Sequence, residues 1–94
     1  MAAYMIARIE VTNLENYLKY ASQTVGIAEK FGGKFLVKAG QMEQLEGSGP
    51  QRHVVIEFPD MDAARTFYHS PEYAEILPIA LANSTRDAVL VEGA

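Results

Sequence analysis

A chain of 94 residues with 49% hydrophobic and 21% charged content suits one globular domain, residues 1–94, and is too balanced for a disordered or membrane-embedded protein. Its net charge of -4, with eight Lys and Arg scattered along it, argues against a nucleic-acid partner, which needs a concentrated basic patch. The lack of cysteine removes disulfides, thiolate nucleophiles and cysteine zinc sites, and fits a cytoplasmic setting.

The amino terminus, "MAAYMIARIEV", has no basic segment followed by a continuous apolar run, so it does not read as a signal peptide, and no apolar stretch suits a membrane span. Residues 3–11 alternate, with Met5, Ala7, Ile9 and Val11 on one side and Tyr4, Ile6, Arg8 and Glu10 on the other, the two-residue period of a strand. "TNLE" follows as a capping box, in which Thr12 and Glu15 satisfy each other's free amides. Leu14, Tyr17, Leu18, Ala21, Val25 and Ala28 then recur at helical spacing until Gly32 and Gly33 end the helix.

"KFLVKAG" is a second strand, with Phe35, Val37 and Ala39 opposite Lys34, Leu36 and Lys38. "QMEQLEGSGPQ" is a loop or hairpin by its glycines and proline, and "RHVVIEF" is a third strand that sets Val54, Ile56 and Phe58 against His53, Val55 and Glu57. Asp60 caps a second helix whose inner stripe is Met61, Ala64, Phe67 and Tyr68. In "HSPEY" that helix stops and a short one starts: Ser70 caps, Pro71 needs no amide partner, and Glu72 suits the positive helix end. Pro78 is expected to limit this helix to about two turns before a last strand, "DAVLVEG".

The segment from residue 9, "IEVTNLENYLKY", aligns without gaps to "IEFPDMDAARTF" from residue 56, a shift of 47. Two strand-helix-strand units of this kind predict an α+β, ferredoxin-like βαββαβ sandwich with an extra short helix before the last strand. Its two helices would cover one face of the sheet. The other face would carry Tyr4, Ile6, Arg8, Glu10, Leu36, Lys38, His53, Val55, Glu57 and Leu90, a half-apolar surface suited to a second copy of the chain. In that homodimer Arg8 and Lys38 would meet Glu10 and Glu57.

The run "HVVIEFPDMDAARTFYHSPEYAEILP", with "FGGKFLVKAG" before it and "VLVEG" after it, resembles the family called domain of unknown function 1330. The resemblance implies a dimeric α+β barrel, two ferredoxin-like sheets packed face to face, and brings no activity with it. The family pattern favours Arg where this chain has Lys38, glycine where it has Ala39, and a further Arg where it has Ala80.

His53 and His69 stand alone, without HxxxH or HxH spacing, so no metal site is expected. No motif points to a bound cofactor, and Ser70 lacks the context of an esterase nucleophile. Glu10 and Glu57, related by the internal repeat, form either a close carboxylate pair or, as preferred here, interface charges. Tyr68, Tyr73, His69 and His53 are the candidate ligand-binding residues, for a small apolar or aromatic molecule held between sheet and helices. The alternatives are a cofactor-independent enzyme of monooxygenase or isomerase type and a purely structural or regulatory dimer module.

Overall fold

A computed structural model describes residues 1–94. The elements run β1 (Ala3–Val11), α1 (Leu14–Lys30), β2 (Lys34–Lys38), β3 (Arg52–Phe58), α2 (Met61–Tyr68), α3 (Pro71–Ala82) and β4 (Ser84–Glu92). The strands form one antiparallel sheet in the order β2-β3-β1-β4, which is the expected ferredoxin-like α+β arrangement. All three helices lie on one face, and no helix is long and apolar enough to cross a membrane.

The internal repeat holds at the level of elements. Val11 and Phe58 end their strands, Asn13 and Asp60 cap the helices, and Leu14 and Met61 open them. Each pair is 47 residues apart in the sequence. The α1 cap is therefore Asn13, whose side chain accepts from the Asn16 amide, and not the Thr12 of the expected capping box. The Thr12 amide is drawn instead to the Asn83 carbonyl. A second correction concerns the buried stripe of α1, which is Tyr17, Tyr20, Thr24 and Ala28, while Leu14 and Leu18 are exposed. Both sets have helical spacing; the sheet and α3 cover the first.

Between α2 and α3 the chain behaves as read. Ser70 accepts from the Tyr73 amide and donates to the Phe67 carbonyl, with Pro71 opening the helix behind it. Pro78 does not end α3, which runs on to Ala82. An interior proline forfeits one hydrogen bond, and burial of Tyr73, Ile76 and Ala80 along α3 offsets that loss.

Two expected faces are reversed. Phe35 pairs with Ile56 and Val37 with Val55, a register shift that places a bulge at Leu36. An extra residue flips every side chain beyond it, so Val37 joins the open face and Lys38, opposite Val54, turns to the helix side. Lys38 is thus not on the proposed dimer face. On β4, Leu90 pairs with Met5 and packs on the core, whereas Val89 and Val91, opposite Ile6 and Tyr4, lie on the open face.

Tyr4, Ile6, Arg8, Glu10 and Glu57 do share that open face, as expected from alternation. Glu57 accepts a hydrogen bond from the Tyr4 hydroxyl at 3.2 Å, which raises the phenol's pKa. Glu57 lies opposite Tyr4, and Glu10 is six residues further along β1, roughly 20 Å at strand rise. Within one chain the two carboxylates cannot form an acid–base pair.

Candidate functional site

Between α1 and the sheet lies a partly open cavity of about 40 Å³, lined by Ile9, Tyr17, Tyr20, Thr24, Lys38, Arg52, Arg86 and the apolar side chains around them. Alternation along β1 supplies its apolar floor, Met5, Ala7 and Ile9, each nearly inaccessible to solvent. The tyrosines come from α1, one helical turn apart. Both arginines come from the sheet: Arg52 and Arg86 are the cross-strand partners of Ile9 on its two sides.

Arg86 organises the polar end. Its Nη1 donates to the Tyr17 and Tyr20 hydroxyls, both at 3.2 Å, and its Nη2 donates to the Tyr73 hydroxyl at 2.8 Å. The Tyr20 and Tyr73 oxygens are 2.6 Å apart and share one proton. The Arg86 guanidinium also stacks over the Tyr20 ring, 5.1 Å from its centre. Arg52 lies over the Tyr17 ring at 5.4 Å, and its Nε is buried without a hydrogen-bond partner.

Burial pushes the Tyr73 pKa well above the usual phenol value, and the neighbouring Tyr20 adds to the effect. Burial also raises that of Tyr17, against the pull of Arg86. For Arg86 burial acts in the opposite direction, and the Tyr20 and Tyr73 oxygens outweigh it, so its charge is held more firmly than usual. At neutral pH Arg86 is a fixed cation beside the protonated phenols of Tyr17 and Tyr73.

Proton counting then defines what the site lacks. Three hydroxyls carry three protons, all three oxygens accept from Arg86, and only one proton is used between Tyr20 and Tyr73. Two O–H donors find no acceptor among the protein's own groups. No carboxylate lines the cavity, and the molecule's one salt bridge, Arg65–Asp62, is on the surface. Donors and positive charge are in surplus, and a bound oxygen acceptor would satisfy both.

The four residues expected to bind a ligand do not form one site. Tyr73 belongs to the Arg86 cluster. Tyr68 packs on Tyr73, ring centres 5.2 Å apart, but lines a separate shallow hollow with Met5, Ala88, Val89 and Leu90. His69 is an exposed helix cap set edge-on to Tyr68. His53 pairs with Arg8 on the open face, beside the loop at Met42–Glu46. Arg52, Arg86, Tyr20 and Thr24 were not among the expected residues. Strand parity held the signal for Arg52, since it places a charge on the core side with Val54 and Ile56. Ala80, where the family pattern has Arg, is fully buried, and the cation on this side comes from Arg86.

Four antiparallel strands, helices on one face and a cationic cavity beneath α1 define a ferredoxin-like α+β fold. The family described as domain of unknown function (DUF1330) matches residues 2–94, and the chain belongs to it. A protein of unknown function from Rhodopseudomonas palustris is similar in structure, with 18% identity, a TM-score of 0.82, and coverage of 99% of this chain and 82% of that one. A dimeric ferredoxin-like protein of unknown function from Jannaschia sp. CCS1 gives 13% identity and the same TM-score of 0.82, covering 99% and 100%. SnoaB, a cofactor-independent oxygenase from Streptomyces nogalater, gives 17% identity and a TM-score of 0.70, covering 99% and 93%. These likenesses establish the fold. No curated protein sequence matches the chain.

Proposed function

We propose that this protein is a homodimeric binding module for a small, mainly apolar molecule that presents an oxygen acceptor, such as a carboxylate or enolate, to the Arg86 cluster. The observation that carries this reading is the donor surplus: a half-buried guanidinium and three phenols with no acidic partner. At about 40 Å³ the cavity is smaller than a single ring, so a ring or short acyl chain enters over the apolar floor only with an outward swing of Lys38, which is exposed at the cavity. The half-apolar open face and the dimeric Jannaschia neighbour support a dimer, and the cysteine-free composition accords with the cytoplasm.

Thermal shift with benzoate and other aromatic acids tests the reading. Saturable stabilisation of the native chain, lost in Arg86→Gln, is the expected result. Failure of every acid to stabilise the native chain would overturn it.

A second reading, an enzyme without a cofactor, has one observation in its favour. Protonated phenols beside an arginine are suited to holding a developing oxyanion, and SnoaB shares the fold. The cavity offers neither carboxylate nor histidine as a base, so binding stands first. Turnover of an aromatic acid or ketone, abolished by Tyr73→Phe, would reverse that order.

A further inference from the structure

We infer that Arg52 is a second anchor in the same cavity, and that its ligand carries two oxygen acceptors on a compact apolar frame, as a dicarboxylate or keto acid does. This inference rests on the reading of the Arg86 cluster as an acceptor site. Arg52 and Arg86 are both paired across strands with Ile9, one on each side, so their backbones lie roughly 10 Å apart on the helix face of the sheet. Their guanidinium groups converge on one side chain, Arg52 over the ring of Tyr17 and Arg86 at its hydroxyl.

The two cations differ in what they have already spent. Arg86 makes three hydrogen bonds to phenols. Arg52 makes none, and its Nε is shielded from water as well as from any protein acceptor. Nearly every buried N–H in a folded protein has a partner, so this one marks where a partner belongs. Two guanidiniums beside one ring with no carboxylate between them also repel each other, and a ligand with two acceptors removes both penalties together. Lys38, the third cation at the cavity, is exposed and rests 5.9 Å over the Phe35 ring, where water already serves its ammonium.

Titration calorimetry with benzoate and with the three benzenedicarboxylate isomers tests this on the native chain, Arg52→Gln, Arg52→Lys and Arg86→Gln. The native chain should bind at least one dicarboxylate about tenfold more tightly than benzoate, close to the least that one charge-assisted hydrogen bond contributes. In Arg52→Gln that preference should fall to near unity, with partial recovery in Arg52→Lys, whose ammonium keeps the charge and loses the fork. A preference that survives Arg52→Gln, or a native chain that binds benzoate and no dicarboxylate better, would overturn the second anchor and leave the Arg86 site standing. Loss of benzoate and dicarboxylate alike in Arg86→Gln would support the shared site. Failure of the native chain to bind any of the four would remove both.

Discussion

The hydroxyl oxygens of Tyr20 and Tyr73 lie 2.6 Å apart, joining α1 to α3 by a buried hydrogen bond that Arg86 supports from the sheet. The two residues are 53 positions apart in the chain, and the contact closes the polar end of the cavity. Its consequences are measurable without a ligand.

The first is alkaline behaviour. Tyr73 has a folded pKa raised by burial and by Tyr20, while its unfolded value is about 10. Below pH 10 both states hold the proton, and this group's contribution is fully present. Above pH 10 the unfolded chain releases its proton first, so stability falls with rising pH by about 1.4 kcal/mol per unit for such a group. Denaturant titrations between pH 9 and 11 should show this slope, and Tyr73→Phe should flatten it. At neutral pH the same variant should lose roughly 1–2 kcal/mol, the value of the buried bonds it removes. An unchanged alkaline slope would show that Tyr73 does not hold its proton in the folded state.

Ala39 presents the opposite case, a residue whose replacement should help. Its φ of 56° lies in the left-handed region, while its amide is held by the His53 carbonyl at 2.8 Å. A side chain costs roughly 1–2 kcal/mol there, and glycine returns part of that gain through unfolded-state entropy. Ala39→Gly should therefore stabilise the fold by about 0.5–1 kcal/mol in chemical denaturation, which gives a physical reason for the glycine that the family pattern favours.

Gly33 should not tolerate the reverse change. A β-carbon there would lie 2.8 Å from Phe58 Cε1 and 2.9 Å from the Ala28 carbonyl oxygen, which accepts the Gly33 amide at the end of α1. Neither neighbour can yield, because one is packed in the core and the other is backbone. Gly33→Ala should cost about 1–3 kcal/mol, read as a lower denaturation midpoint with an unchanged slope.

What the sequence discloses follows from how local each signal is. Strand alternation, the Asp60 cap and the Ser70–Pro71 helix start are written in neighbouring residues, so the fold could be read directly, although the cap of α1 fell one residue beyond the expected Thr12. The bulge at Leu36 has no side chain of its own to announce it, and it alone moved Lys38 from the open face to the cavity. On α1, Leu14 and Leu18 compete with Tyr20 and Thr24 for the inner stripe at equal spacing, and only the positions of the sheet and α3 decide between them. Arg86 precedes the strand expected from residue 87, so alternation gave it no face until β4 was seen to begin at Ser84. The site was hidden for a related reason: its members, on α1, α3, β3 and β4, meet only through tertiary packing.

The open face supports the last prediction. Ile6 and Val89 are cross-strand partners there, and Val89 is 55% exposed, with Val91, Val37 and Leu36 each above 40%. Such an apolar surface costs about 25 cal/mol for each Å² left in water, and a symmetric partner would shelter it. A glutamate at position 89 would set a charge beside Ile6 within that apolar surface, and its copy on the partner would repeat the insult. Light scattering at micromolar concentration should give the native chain the mass of two subunits and Val89→Glu the mass of one, with thermal stability of the native chain rising with protein concentration. Because Val89 lies on the sheet face away from Arg86, the monomeric variant should keep its fold, seen as unchanged far-ultraviolet circular dichroism. A native chain of single-subunit mass would remove the dimer from the proposed function and leave the cavity reading intact, since the cavity lies on the helix side of the sheet and not on the open face.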